Sequence, residues 1–162
     1  MPETLSIDGT PATSTPSLSK TNEEWIEKRL SYWKGQKATG YNGRHTRVRE
    51  RLAEFRRLKP GWMDGEGVAP SSIALDVVER ALDSHLAGLI ESPQVFPTLD
   101  GGVQLEWFLQ DRYHVAVQID ADAGTGDIGI VDVKTRKDDT LDLFPSSPSS
   151  WRKVVRLIEK HS

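Results

Sequence analysis

Carboxylates at three places in the chain have the side-chain type that acid–base or metal chemistry needs: Asp64, Glu66 and Glu106. Asp64 and Glu66 lie two residues apart and could hold Mg²⁺ through water, but the sequence offers no third ligand. The alternative for this stretch is a loop between helices, with Trp62 pinned to the core. Glu106 is a lone carboxylate, whereas a general acid needs a partner or a pKa-shifting pocket. An enzyme would therefore require all three carboxylates to converge in one pocket.

Asp100, Gly101 and Gly102 stand directly before a segment of alternating apolar and polar residues. A glycine loop that binds phosphate is followed by a helix, whose N–H groups and dipole face the anion. Here a strand pattern follows instead. Aspartate and glycine are typical turn residues, so a turn is favoured over a binding loop.

Metal and nucleophile motifs are missing from the chain. Asp120 and Asp122 resemble the start of a calcium loop, but Gly124, Thr125 and Val131 stand where an EF-hand has Asp or Asn, Gly and Glu. No histidine pair has the i, i+4 spacing of a helical metal site, and each histidine is expected at the surface or at an edge. The histidines are His45, His85, His114 and His161. Without cysteine and without a G-x-S-x-G elbow, we expect no catalytic nucleophile, no metal and no cofactor.

The segment from Arg44 to Lys59 is the strongest physical signal, with seven basic residues against two acidic ones. A helix of this kind can follow phosphates, with aromatic rings nearby for stacking, or it can bind an acidic protein. It can also be a solvated face with internal Arg–Glu pairs. The candidate partner-binding residues, which include two tryptophans from an upstream segment, are Trp25, Trp33, Arg44, Arg47, Arg49, Arg51, Arg56 and Arg57.

Helices are predicted on both sides of this segment. Residues 1–20 are rich in Ser, Thr and Pro and are expected to be a disordered leader. Residues 21–34 predict a helix with an apolar stripe, and the glycines of 35–43 predict a flexible joint. Residues 44–162 are expected to form a single α+β domain. It begins with a helix from about Arg44 to Leu58, buried through Val48, Leu52 and Phe55.

A third helix is predicted from Ser71 or Ser72 to about Leu89, with Ile73, Val77, Ala81 and Leu86 as its core residues. After Pro93 the period changes to two, which predicts strands at 103–109, 113–119 and 127–133 and a short edge strand at 140–144. Trp151, Val154, Leu157 and Ile158 then predict a C-terminal helix. The fold class is therefore α+β, with N-terminal helices, a three- to four-stranded antiparallel meander and a C-terminal helix.

Composition limits the function classes further. The chain has 162 residues, a formal net charge of −3 and no apolar run long enough to span a bilayer. No secretory signal is expected, and a cytoplasmic protein without membrane contact fits best. The mild net charge argues against a protein that is coated with nucleic acid over its whole surface.

Two blocks carry a family resemblance: "LKPGWMDGEGVAPSSIAL" and "PTLDGGVQLEW". They are similar to a group of small uncharacterised bacterial proteins with a GWDG-type loop, an APS-type helix start and a PTxDGGxQLEW strand. The resemblance covers about residues 58–120. The chain departs from it at Met63, which is inserted between Trp62 and Asp64. The resemblance implies a fold, and an accessory protein that acts beside a larger effector.

We therefore expect a non-enzymatic protein-binding module, such as an antitoxin, an inhibitor or an accessory subunit of a bacterial toxin-type or defence system. Its partner would be a protein such as the product of a neighbouring gene, gripped by the tryptophans and arginines named above. The alternative is a nucleic-acid-binding component that uses the arginine-rich helix at 44–59. The remaining alternative is the enzyme built on three carboxylates.

Overall fold

The computed structural model describes residues 45–162, which form three helices and one sheet. The leader, the helix at 21–34 and the joint at 35–43 lie outside the described residues, as do Trp25, Trp33 and Arg44. In chain order the elements are α1 (Thr46–Phe55), α2 (Ser72–Ser84), β1 (Gln94–Pro97), β2 (Val103–Leu109), β3 (Tyr113–Ile119), β4 (Gly126–Asp132), β5 (Lys137–Leu143) and α3 (Pro148–His161).

The sheet is an antiparallel meander in the order β1-β2-β3-β4-β5, with helices before and after it in the chain. The class is α+β, as expected, but the strand count of three to four is wrong. The additional strand is β1, which pairs Val95 with Leu105 and Pro97 with Val103. Four residues ending on proline are a weak strand pattern, because proline has no N–H to donate.

One face of the sheet forms the hydrophobic core. Strand residues such as Leu105, Trp107 and Val117 are completely buried there against helix residues such as Leu52 and Val154. The indole N–H of Trp107 also donates to the carbonyl of Glu91 (3.1 Å), which satisfies its buried donor. We call this side the core face. Alternate residues of a strand point to the same face of the sheet, so the apolar alternation that predicted β2 and β3 also predicts which of their residues lie on the core face.

The other face of the sheet, which we call the polar face, has a different composition. Its central positions on β2 and β3 hold Gln104, Glu106, His114, Ala116 and Gln118; Gln104 pairs with Gln118 and Glu106 with Ala116. None of these five belongs to the hydrophobic core cluster.

Helix α2 begins as predicted but ends early and faces differently. The hydroxyl of Ser71 caps the helix by accepting the N–H of Ala74 (3.0 Å). The helix ends at Ser84, not near Leu89. Ile73, predicted as core, is 57% exposed, because the buried stripe runs one position later through Ala74 and Leu75.

Helix α1 spans Thr46–Phe55 and is shorter than the predicted 44–58. His45 precedes it in the left-handed conformation (φ 64°) and is buried. Its imidazole contacts the hydroxyl of Ser92 (3.1 Å) and the carbonyl of Leu86 (3.2 Å). The prediction that every histidine lies at the surface or an edge is therefore wrong for His45. It is also wrong for His114, whose side chain is buried on the polar face.

Acid is expected to weaken the fold through Asp132, at the end of β4. The guanidinium of Arg112 donates to both carboxylate oxygens (2.7–3.1 Å), and the backbone N–H of Lys134 donates to one of them (3.0 Å). These bonds lower the pKa of Asp132 well below its usual range. A lowered folded-state pKa contributes stability above the unfolded value of about 3.9, and this contribution is lost as the pH falls through the folded value.

Asp132→Asn should therefore have a lower Tm than the parent protein at pH 7, and the difference should shrink between about pH 5 and pH 2. Thermal unfolding at several pH values measures it. Asp111→Asn is the control, because Asp111 is an exposed carboxylate in the turn between β2 and β3. Parallel Tm curves for the parent and Asp132→Asn would contradict the assignment.

Candidate partner-binding surfaces

The arginines of α1 are largely engaged within the protein. Arg49 forms an ion pair with Asp83 on α2 (2.5 Å). Arg56 pairs with both Asp76 (2.6 Å) and Glu79 (3.0 Å) on the same helix. The hydrogen bond with Asp76 is the main reason why the pKa of Arg56 is raised. The acidic face of α2 therefore neutralises part of the basic face of α1.

Arg51 is engaged as well, since it pairs with Glu54 one turn along the helix (2.5 Å) and lies over the ring of Phe55 (5.1 Å from the centroid). Such i, i+3 pairs stabilise a helix by roughly 0.2–0.5 kcal/mol. Arg47 is exposed on the same helix. Within residues 45–162, Arg57 is exposed and forms no ion pair. The local excess of basic residues at 44–59 thus overstates the positive charge that α1 offers to a partner.

Helix α3 presents a second basic surface, which the sequence reading did not single out. Arg152, Lys153, Arg156 and Lys160 are all exposed on it, against a single acidic residue, Glu159. None of the four cations forms an ion pair with a carboxylate of residues 45–162. Arg152, Arg156 and Lys160 follow one another at i, i+4 spacing, and Lys153 lies beside Arg152 in the sequence. We call these four residues the cationic row. The signal was available in the sequence as "WRKVVRLIEK".

A shallow cleft of about 260 Å³ lies beside the cationic row. Its lining includes Glu159 and the stacked rings of His85 and Trp151, whose centroids are 5.9 Å apart. The indole N–H of Trp151 donates to the carbonyl of Pro145 (3.0 Å), which fixes the ring. Arg152 and Arg156 also line the cleft. Two guanidinium groups against the single carboxylate of Glu159 suit a negatively charged group of a partner.

The loop with Trp62, Asp64 and Glu66 is a small hairpin. Met63 and Glu66 bond to each other's backbone (2.8–3.0 Å), and Asp64 and Gly65 between them both have positive φ. Two positive φ angles in succession are typical of a type I′ turn, for which Asp-Gly is a preferred sequence. The indole N–H of Trp62 closes the loop by donating to the carbonyl of Val68 (3.1 Å).

The segment with Asp100, Gly101 and Gly102 is a tight turn. The hydroxyl of Thr98 bonds the carboxylate of Asp100 and accepts the N–H of Gly102 (2.8 Å). Gly101 has a φ of +90°, and a Cβ on it would lie 3.2 Å from the carbonyl oxygen of Ala69. Gly101 and Gly102 are therefore needed where backbone segments pack closely, as in the predicted turn, and they do not form an anion-binding loop.

The two turns are fastened to each other and to a third one. The N–H groups of Val68 and Ser71 donate to the carbonyls of Leu99 (2.7 Å) and Gly101 (2.9 Å). The hydroxyl of Ser71 donates to the carbonyl of Ala121 in the β3–β4 turn (2.5 Å). We call this arrangement the three-loop junction. It joins the segment at 61–71 to the turn at 98–102, and it holds α2 against one end of the sheet.

Glu106 and His114 meet on the polar face. The carboxylate of Glu106 accepts a hydrogen bond from the amide of Gln104 (2.8 Å), and its second oxygen lies 3.2 Å from Nε2 of His114. The exposed fractions of the Glu106 and His114 side chains are 0% and 3%. The prediction of Glu106 as a lone carboxylate is therefore wrong. The register pairs Glu106 with Ala116 and makes His114 its diagonal neighbour.

Asp127 extends the polar face toward the sheet edge. It pairs with Gln118 on β3 and with Asp142 on β5. Burial, and then the nearby Asp120 and Asp142, raise the pKa of Asp127. Two carboxylates directly opposite each other on neighbouring strands destabilise a sheet. The polar face thus carries buried and half-buried hydrogen-bonding groups at positions where aliphatic residues would stabilise the sheet more.

The three carboxylates do not share one pocket. Asp64 and Glu66 are exposed on the hairpin, whereas Glu106 is completely buried in the middle of β2. Among residues 45–162, no group of three His, Asp or Glu side chains is arranged to hold a metal ion. No helix in that range is both long enough and apolar enough to cross a membrane. Comparison with family models, with curated proteins and with solved structures gives no match to this chain.

Proposed function

We propose that the protein is a non-enzymatic binding module for an acidic protein, which docks on the cationic row of α3 and the cleft beside it. The role fits an antitoxin, an inhibitor or an accessory subunit of a bacterial toxin-type or defence system. The observation that carries the proposal is the contrast between two basic helices. Arg49, Arg51 and Arg56 are paired with carboxylates within the protein, while the cations of α3 are exposed and form no ion pair within residues 45–162.

The arrangement of α3 is costly for the helix itself, which supports a role in binding. Like charges at i, i+4 destabilise a helix by roughly 0.2–0.5 kcal/mol per pair, and the row contains two such pairs, Arg152–Arg156 and Arg156–Lys160. The first turn of α3 holds no acidic residue, although acidic residues there favour the helix dipole. A partner of opposite charge would remove this repulsion on binding.

Charge next to the row favours a protein over a nucleic acid. Helix α3 packs against β5, whose exposed Asp139 lies on the same side of the sheet as the helix, while the exposed Asp138 and Asp142 lie on the polar face. A nucleic acid is uniformly negative along its backbone and would be repelled by this acidic strand. A folded protein can match a surface on which both signs lie side by side. The resemblance stays a prediction, and an accessory role beside a larger effector is consistent with it.

The test is quantitative binding to the partner by charge-reversed full-length chains. The partner is isolated with tagged parent protein from nuclease-treated lysate of the source bacterium, and its affinity is then measured with purified components. Arg152→Glu/Arg156→Glu is expected to weaken binding at least about tenfold, because two attractive contacts become repulsive. Both side chains are exposed and form no ion pair within the described residues, so the Tm should stay close to that of the parent.

Arg57→Glu/Lys59→Glu is the matched control in the segment just after α1, with the same change in charge on a surface that the proposal leaves out of the contact. Equal affinity of the parent and the Arg152→Glu/Arg156→Glu chain would contradict the proposal. Loss of binding in the Arg57→Glu/Lys59→Glu chain instead would return the contact to α1. Partners that disappear with nuclease, and affinity that falls by about one log unit per log unit of salt for each phosphate contact, would favour the nucleic-acid alternative.

A further inference from the structure

The polar face is buried at its centre, on β2, β3 and β4, although all three described helices pack on the core face. Glu106 and Ala116 are 0% exposed, and Gln104, His114 and Val131 are each 2% exposed. The core cluster that unites the helices with the sheet contains only strand residues of the core face. Within residues 45–162, therefore, no helix accounts for the burial of the polar face.

A polar face in this state requires a cover. Side chains in the middle of an open sheet face remain in contact with water, and a carboxyl group without such contact needs compensating partners. The chain holds 44 residues before His45, which is enough for one further element. The composition of the face limits what can cover it. Polar groups lie at its centre, and Phe96 and Phe108 are half-buried on either side of them.

We propose that residues 21–34 cover the polar face as an amphipathic helix. The sequence predicts a helix there with an apolar stripe of Ile26, Leu30 and Trp33, and with Trp25 beside it. Fourteen helical residues span about 21 Å, enough to cross the roughly 14 Å from β1 to β4; the polar-face residues of β5 lie beyond this area and are exposed. Indole rings suit a face of mixed character, because each has an apolar body and one N–H donor for acceptors such as Gln118 or Asp127.

The point at which the described chain begins is consistent with this placement. The backbone N–H of His45 donates to the hydroxyl of Ser92 (3.2 Å), two residues before β1. The chain therefore reaches the described domain at the β1 edge of the sheet. The nine residues 35–43 can extend to about 30 Å, which lets residues 21–34 lie across the polar face from that edge.

The proposal defines an interaction surface that the chain closes with its own segment, and it does not depend on the cationic row. A partner that binds the polar face would compete with residues 21–34. Trp25 and Trp33, predicted from sequence as contacts to a partner, become intramolecular contacts.

The absence of cysteine allows a clean test in the full-length chain, because a single introduced thiol is then the only one. Ala116→Cys places the thiol on the polar face, and Val115→Cys places it on the core face. Both positions are 0% exposed and adjacent in β3. The rate of reaction with a thiol reagent such as DTNB is measured for each, with and without Trp25→Ala/Trp33→Ala.

We expect slow labelling at both positions in the unaltered background. Trp25→Ala/Trp33→Ala should raise the rate at least tenfold for Ala116→Cys and leave it unchanged for Val115→Cys. Rapid labelling of Ala116→Cys in the unaltered background would overturn the proposal, because the face would then be open. Continued protection of Ala116→Cys, or an equal rise at both positions, would also overturn it. Protection that is lost on dilution would overturn it in favour of a second copy of the chain as the cover.

Discussion

Replacing Gly126 with alanine is expected to lower the free energy of unfolding by about 3 kcal/mol. Gly126 begins β4 and pairs with Ile119 on β3. A Cβ on Gly126 would lie closer to the carbonyl oxygen of Gln118 than the 3.0 Å that real Cβ atoms keep. This oxygen belongs to the backbone of β3, to which β4 is paired. It can move away from the added methyl group only if the pairing of β3 with β4 is distorted.

Gly88→Ala is the matched control, because nothing lies within 4 Å of the methyl group that it adds. It should be neutral or slightly stabilising, since alanine restricts the unfolded chain more than glycine does. Urea unfolding followed by tryptophan fluorescence measures both variants. Gly102→Ala should be destabilising, as Gly126→Ala is, because its Cβ would overlap the carbonyl of Ile119. Equal urea midpoints for Gly126→Ala and Gly88→Ala would contradict the prediction, because the β3–β4 backbone would then accommodate the methyl group without loss of stability.

Truncating Glu106 to alanine is the second change with a large expected effect, again about 3 kcal/mol. The substitution removes the acceptor that Gln104 and His114 share and leaves space inside the protein. A buried donor that loses its acceptor costs about 1–3 kcal/mol. Glu106→Gln keeps the shape and one acceptor oxygen, so it should cost less than half as much.

A double-mutant cycle separates the pair from its surroundings. His114→Ala, Glu106→Ala and the double substitution are compared by urea unfolding, and a coupling energy of at least about 1 kcal/mol is expected for groups in one buried network. A Glu106→Ala chain as stable as the parent would show that the network adds nothing to the fold. Such a result would point to retention of the pair for binding, as buried ion pairs can often be replaced by apolar groups without loss.

Much of the fold follows from periodicity in the sequence. The period of two from Val103 to Ile119 predicted β2, β3 and the core face, and the stripe of α3 predicted its buried side. The short β1 was missed because four residues with a terminal proline carry little pattern. The shift of the α2 stripe by one residue was also missed, since Ile73 and Ala74 both fit a helical face and packing decides between them.

The sites were harder to predict, because they depend on pairing between distant residues. Glu106 and His114 are eight residues apart and fall on the same face of adjacent strands. The alternation of β2 and β3 and the tight turn between them were therefore enough to predict that the two side chains are neighbours. The pair was missed because each residue was considered alone. The α1 arginines were overvalued for the related reason that their carboxylate partners lie on another helix, 20 to 34 residues away. Local charge counts do not register such neutralisation.

The three-loop junction makes two distant parts of the sequence depend on each other. The blocks "GWMDGEGVAPSS" and "PTLDGG" are far apart in the chain, yet their glycines and serine serve one set of backbone contacts that attaches α2 to the sheet. A change in either block therefore acts on the attachment of α2 to the sheet, although the two blocks are distant in sequence.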